Sequence, residues 1–110
     1  MGKFMKGDVV VIPFPFSDLS GSKRRPALVV ADLDGDDVIL CQITSVARGD
    51  NYAVSLGTAD FESGTLPAKS FVRSTKIFTA DQRLVLYSAC RLKSETMQKI
   101  TKKIVGILEE

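Results

Sequence analysis

The sequence predicts a small α+β fold in which a strongly curved antiparallel sheet, or barrel, is followed by one C-terminal helix. Two observations lead to this prediction. Five to seven short segments rich in β-branched residues are separated by turn-forming residues, and the end of the chain carries an apolar stripe at three- and four-residue spacing. Strands joined by hairpin-like connections favour an antiparallel sheet, and an amphipathic helix buries its apolar face against it.

The first half of the chain contains the clearest strand signals. Asp8–Phe14 holds a β-branched run that is interrupted by proline, and residues 26–31 and 38–43 are the next two apolar segments. Between them, residues 34–37 are one glycine and three aspartates, which indicates a hairpin turn. A shorter strand is expected at residues 52–56.

The second half is less regular until its end. Residues 57–68 read as a long connection with a short turn at 59–63, and residues 71–78 as strand with a kink. A further strand is expected within residues 83–92, after a helical turn at 80–82. Ser94 is a plausible N-cap for the terminal helix. Its apolar stripe contains five residues: Met97, Ile100, Ile104, Ile107 and Leu108.

Length and composition predict one domain covering residues 1–110, since 110 residues is an ordinary domain size. We expect a cytoplasmic protein, because no apolar run is long enough to span a membrane and no signal-peptide pattern follows the N-terminus. Cys41 and Cys90 lie in apolar segments without metal-ligand spacing. Both are therefore predicted to be buried free thiols, and no metal or other cofactor is expected.

The chain contains no histidine, and this restricts its chemistry. It excludes a Ser-His-Asp or Cys-His nucleophilic site and the two-histidine acid–base pair of familiar ribonucleases. The net charge of +2 is small, yet residues 69–103 hold nine basic and two acidic side chains. Such a segment permits binding of a polyanion, although many basic segments are only solvated surfaces.

Two patches carry a family resemblance. In the first, Gly7-Asp8-Val9-Val10 is followed after a loop by Arg24-Arg25-Pro26-Ala27-Leu28-Val29-Val30; in the second, Ile43-Thr44-Ser45 is followed by Asn51-Tyr52-Ala53-Val54. Their order and spacing resemble toxins of the MazF/PemK family. A weaker match runs from Gly64 to Leu84, so the resemblance covers nearly the whole chain.

The resemblance implies an SH3-like barrel with a C-terminal helix, the CcdB/MazF/PemK-like fold. It also implies a ribosome-independent, sequence-selective endoribonuclease that cleaves single-stranded RNA by attack of the ribose 2′-OH, leaving a 2′,3′-cyclic phosphate and a 5′-OH. Because the substrate supplies the nucleophile, no metal is needed. Arg25 and Thr44 match the catalytic pair. The residues expected to bind RNA are Ser20, Ser22, Lys23, Arg24, Asn51, Tyr52, Lys69 and Ser70.

As partners, the resemblance implies mRNA, a second copy of the chain in a homodimer, and a cognate antitoxin whose acidic, disordered tail neutralises the toxin. Residues 17–23 form a more compact first loop than many family members have, and the loop lacks their glutamate. The RNA sequence preference is therefore not implied. Two alternatives stay open: a DNA gyrase inhibitor like CcdB, and a family member that binds RNA or antitoxin without turnover.

Overall fold

The described residues form seven strands and one helix. The computed structural model describes residues 4–14, 23–46, 49 and 51–110. The elements in chain order are β1 (Asp8–Phe14), β2 (Lys23–Asp32), β3 (Asp37–Thr44), β4 (Ala53–Leu56), β5 (Phe61–Gly64), β6 (Ser70–Asp81), β7 (Tyr87–Leu92) and α1 (Ser94–Leu108). Single 3₁₀ turns lie at Thr58–Asp60 and Gln82–Leu84.

All seven strands form one antiparallel sheet in the order β4-β6-β3-β2-β1-β7-β5. The register shifts in several pairings, for example between Val9 and Val10 where β1 meets β7, and between Cys41 and Ile43 where β3 meets β6. Such irregularities bend a strand and increase its twist. The sheet therefore curls into a half-barrel, and the predicted fold class is confirmed.

Alternating residues of the central strands bury apolar side chains on both faces of the sheet. In β2, Leu28 belongs to the core on the face that packs against the helix, whereas Ala27 and Val29 belong to a second core on the opposite face. This is the alternation that strand geometry imposes. The helix-side core includes Met97 and Ile100 of α1, and Phe4 packs against the second core.

Asp60 fixes the N-terminal end of α1 to the sheet. One of its carboxylate oxygens accepts a hydrogen bond from the Thr96 hydroxyl at 2.9 Å, and its main-chain carbonyl accepts one from Lys93 N–H at 2.9 Å. The other carboxylate oxygen accepts from Gly57 N–H at 2.7 Å. A side chain outside the helix therefore orients its first turn.

Two details of the predicted helix are wrong. The N-cap is Lys93, without a side-chain hydrogen bond, and Ser94 is the first helical residue. Asp60 performs the anchoring that the sequence pattern assigned to Ser94. Leu108 belongs to the predicted apolar stripe but is 74% exposed, whereas Met97 and Ile100 are buried as expected.

The predicted connection at residues 57–68 contains a strand that the sequence does not reveal. Phe61–Gly64 forms β5 at one edge of the sheet and pairs with β7. Its only large apolar residue is Phe61, so no alternation identifies it. The predicted kink at residues 71–78 is confirmed, since the partners of β3 in β6 jump from Ile77 to Val72.

Both cysteines are free and buried, as predicted. Burial raises the pKa of each thiol to about 11, because the thiolate is poorly solvated inside the protein. No helix among the described residues is long and apolar enough to cross a membrane. The same residues contain no group of three or more potential histidine, cysteine or carboxylate metal ligands.

Gly64 is expected to tolerate no side chain. Its φ is +68°, and an added Cβ would lie 3.0 Å from the carbonyl oxygen of Ala89 and from Cβ of Cys90. Gly64→Ala should therefore lower the free energy of unfolding in urea by more than the roughly 1–2 kcal/mol of the left-handed conformation alone.

Gly35→Ala is the matched control, because Gly35 also has a positive φ of +85° but no atom near the added Cβ. Equal losses for the Gly64 and Gly35 variants would contradict the predicted overlap.

In the helix, Gly106→Ala should instead stabilise the protein by about 0.5–1 kcal/mol.

Asp81 is expected to titrate well below the ordinary value for an aspartate. The Arg83 side chain and main-chain N–H donate to its carboxylate and lower its pKa from 3.8 to about 2. The pKa of Asp81 is lower in the folded than in the unfolded state. The interaction with Arg83 therefore stabilises the fold fully above pH 3.8, and this stabilisation is lost as the pH falls through 2. Carbon NMR of the carboxyl groups measures the midpoint.

In Arg83→Ala, the Asp81 midpoint should rise part of the way toward 3.8. The return is incomplete because the main-chain N–H at position 83 still donates to the carboxylate. An unchanged midpoint in the variant would mean that the side-chain contact has no role.

Candidate functional site

A cleft of about 380 Å³ lies where β2 begins and β3 ends. Strands β1, β2, β3, β6 and β7 contribute to its walls, together with the segment that leads from β5 to β6. The residues that line it are Val11, Arg24, Arg25, Pro26, Ile43, Thr44, Ser45, Thr65, Leu66, Pro67, Ala68, Ser70, Tyr87 and Ala89. Cationic and hydroxyl groups thus share one opening with apolar side chains.

Arg25 and Thr44 both line this cleft. Arg25 lies near the start of β2 and Thr44 is the last residue of β3, and these two strands pair with each other. The paired residues nearest to them are Ala27 and Gln42, each two positions away. Strand pairing thus brings together two residues that lie 19 positions apart in the sequence.

The Arg25 guanidinium has unused hydrogen-bonding capacity. The residue is half-buried, and its Nε is buried without a hydrogen-bond acceptor among the described residues. A buried charged donor without an acceptor is costly, and it gains most from an anionic ligand. An oxyanion at this position would supply the missing acceptor.

The Thr44 hydroxyl also keeps a donor available. Thr44 is 9% exposed, and its Oγ1 accepts a hydrogen bond from Val46 N–H at 3.1 Å. Since a hydroxyl is both a donor and an acceptor, this contact leaves its proton unused while fixing the position of the oxygen. Thr44 can therefore donate to a ligand in the cleft.

Ser70 differs from Thr44, because its proton is already committed. The side chain is buried, and Oγ donates to the carbonyl of Ala68 at 2.9 Å. This bond links Ser70 to the segment that precedes β6, which also lines the cleft. Ser70 is therefore suited to shaping the cleft or to accepting a hydrogen bond from a ligand. It is less suited to donating a hydrogen bond to a phosphate.

The structure brings together only some of the residues predicted to bind RNA. Arg24 and Ser70 line the cleft with the Arg25–Thr44 pair, and Ser20 and Ser22 lie outside the described residues, as does most of the compact first loop. Lys23 and Lys69 are exposed and do not line it.

Asn51 and Tyr52 lie in a different place. They line a separate depression of about 360 Å³ together with the end of α1, including Lys102 and Lys103. The sequence patch that contains them resembles the family, but β4 pairs with β6 at the far edge of the sheet and carries them away from β2.

Sequence reasoning missed the apolar part of the cleft. Tyr87 and Ala89 enter it because β7 pairs with β1, and Leu66 and Pro67 enter it because β5 pairs with β7. No local pattern reveals pairing between strands that are more than 70 residues apart.

Comparison with known protein families gives a match over nearly the whole chain. The family model of the PemK-like, MazF-like toxins of type II toxin–antitoxin systems matches residues 5–108. The comparison with curated protein sequences gives no significant match.

Solved structures show the same fold at low sequence identity. A MazE–MazF complex from Deinococcus radiodurans (Form-II) has a TM-score of 0.79 at 21% identity, covering 99% of this chain and 98% of its own. An endoribonuclease from a mycobacterial species has a TM-score of 0.75 at 21% identity, with coverage of 99% and 94%. A mycobacterial endoribonuclease bound to its cognate antitoxin gives 0.75 at 22% identity, with coverage of 96% and 95%. The family match over nearly the whole chain, together with this fold, shows that the protein belongs to the PemK-like, MazF-like toxins of type II toxin–antitoxin systems.

Proposed function

We propose that this protein is a metal-independent endoribonuclease that cleaves single-stranded RNA at the cleft containing Arg25 and Thr44. The observation that carries the proposal is the presence of these two residues in one cleft, with a buried guanidinium Nε that has no acceptor among the described residues. Membership of a toxin family whose solved relatives include endoribonucleases supports the reaction class.

In the proposed reaction, the ribose 2′-oxygen forms a bond to the adjacent phosphorus and the bond from phosphorus to the 5′-oxygen breaks. The 2′-OH gives up its proton, and the departing 5′-oxygen takes one. The products are a 2′,3′-cyclic phosphate and a 5′-OH. Negative charge builds on the non-bridging oxygens of the pentacoordinate phosphorane, so catalysis depends on donors that are already directed at those oxygens.

Arg25 and Thr44 supply two such donors. The guanidinium presents a planar set of N–H groups that matches two phosphoryl oxygens, and it stays charged at neutral pH. Because a guanidinium does not readily give up its proton near neutral pH, an electrostatic role suits Arg25 better than proton transfer. The Thr44 hydroxyl, held by Val46 N–H, would fix the phosphate in line for attack.

We further propose a cytoplasmic toxin that works as a homodimer and is neutralised by a cognate antitoxin with an acidic, disordered tail. Relatives of the same fold form complexes with their antitoxins. The excess of basic residues between positions 69 and 103 provides charge complementary to such a tail.

The Arg25 and Thr44 roles predict large losses of activity. With mixed single-stranded RNA in EDTA, wild type should produce fragments with 5′-OH ends. Arg25→Ala and Thr44→Val should each lower the cleavage rate by about 10²–10³, the usual effect of removing one oriented donor. Thr44→Ser keeps the hydroxyl and should retain most of the activity.

Lys76→Ala removes an exposed cation outside the cleft and serves as the charge-matched control. Unchanged cleavage in both the Arg25 and Thr44 variants would refute the assignment. Intact RNA together with inhibited DNA supercoiling would instead favour a gyrase inhibitor, and RNA binding without cleavage a non-catalytic family member.

Arg24 is expected to bind a flanking phosphate rather than the reacting one. Arg24→Ala should weaken binding of single-stranded RNA by a similar factor for every sequence. It should also reduce the steepness of the logarithmic salt dependence by about 0.7, which corresponds to one phosphate contact. A titration of RNA affinity against salt measures both effects, and an unaltered slope would remove Arg24 from the interface.

A further inference from the structure

The floor of the cleft is a row of residues that crosses three strands. Val11 of β1 is paired with Pro26 of β2 on one side and with Tyr87 of β7 on the other, and all three line the cleft. Directly paired residues in a sheet point to the same face. Tyr87 therefore lies at one end of this apolar row, and Pro26, near the start of β2, lies at the other end.

Tyr87 is unusually accessible for the aromatic residue of a cleft. Its relative exposure is 53%, and it is the one aromatic side chain among the described residues that line the cleft. The half-buried Leu66 and the exposed Pro67 line the same cleft. An exposed ring among apolar side chains forms a slot suited to a flat, largely apolar group.

A cation stands on the same face as this slot. Arg24 precedes Pro26 by two residues, so strand alternation directs both side chains to the same face, with Cα atoms about 6.6–6.8 Å apart. Arg24 is exposed and lines the cleft. The slot and the cation together fit a base and a phosphate of one strand.

We propose that Tyr87 is a stacking platform for a nucleobase of the bound RNA strand, with Arg24 contacting the neighbouring phosphate. This inference rests on the proposed function and assigns a binding role within the same cleft. Aromatic stacking is a common way to hold an unpaired base, because every base has a π face.

The slot favours affinity over discrimination between bases. Val11, which is paired with Tyr87, and three other residues of the cleft, Ala89, Leu66 and Pro67, have no side-chain groups that read a base edge. The nearby Thr65 hydroxyl donates to the carbonyl of Leu66 at 3.4 Å. Tyr87 should therefore strengthen binding by a similar factor for each of the four bases.

The second tyrosine provides an internal comparison. Tyr52 is 37% exposed, but it lines the separate depression beside α1 and not the cleft. The chain has two tyrosines and no tryptophan. In a Tyr52→Phe background, tyrosine fluorescence therefore reports on Tyr87 alone, and in a Tyr87→Phe background it reports on Tyr52.

The test uses short single-stranded RNAs with 2′-O-methyl riboses, which cannot be cleaved by 2′-OH attack, so binding is measured apart from turnover. Tyr87→Ala should weaken binding about 5- to 150-fold, while Tyr87→Phe should bind nearly as well as wild type. Leu84→Ala, which alters an exposed apolar residue outside the cleft, should have little effect. RNA should quench fluorescence in the Tyr52→Phe protein and not in the Tyr87→Phe protein.

Removing one base at a time from the RNA completes the test. One abasic position should weaken binding to wild type and cause no additional loss in Tyr87→Ala, which identifies the base that stacks. Equal affinity of wild type and Tyr87→Ala, or no saturable RNA binding, would overturn the inference. If RNA is cleaved but the Tyr87 substitutions do not change binding, the inference fails and the proposed function stands. If RNA quenches Tyr87 fluorescence but is not cleaved, the proposed function fails and the inference stands.

Discussion

The fold depends on burial of apolar side chains on both faces of the three central strands. β1, β2 and β3 pack one set of residues against the helix and the alternate set against the second core. A slip of one residue between these strands would move each set to the wrong face. The register is therefore fixed by the core, and the pairing of β2 with β3 in this register brings Arg25 and Thr44 to the same cleft. The geometry of the candidate site is a by-product of the packing that stabilises the sheet.

Sequence patterns predict those parts of the fold in which buried apolar side chains recur at a regular spacing along the chain. The central strands alternate or run in continuous β-branched segments, and the first turns of α1 carry a helical stripe, so both were recognisable. Phe61–Gly64 has neither pattern, because an edge strand with one apolar residue is held by main-chain hydrogen bonds to β7. The helix start was misassigned for a similar reason, since its anchor is Asp60, more than 30 residues earlier.

The same distinction applies to the candidate site. The resemblance to a family predicts four site residues that the structure places in the cleft: Arg24, Arg25, Thr44 and Ser70. All four lie in or beside predicted strands. Asn51 and Tyr52 were selected on the same basis, but the position of β4 at the sheet edge separates them from the cleft. Tyr87 is identified as a residue of the cleft only through the pairing of β7 with β1. Long-range topology decides which side chains share a cleft, and a single sequence does not encode it in any local pattern.

The two edge strands, β4 and β5, are each only four residues long. An exposed strand edge offers unpaired main-chain donors and acceptors to the edge of another molecule, and short edges limit how many such bonds can form. A curled sheet also presents these edges at an angle that a flat partner cannot match over any length. The dimensions of β4 and β5 should therefore disfavour edge-to-edge aggregation, so that copies of the chain accumulating in one cell can remain dispersed.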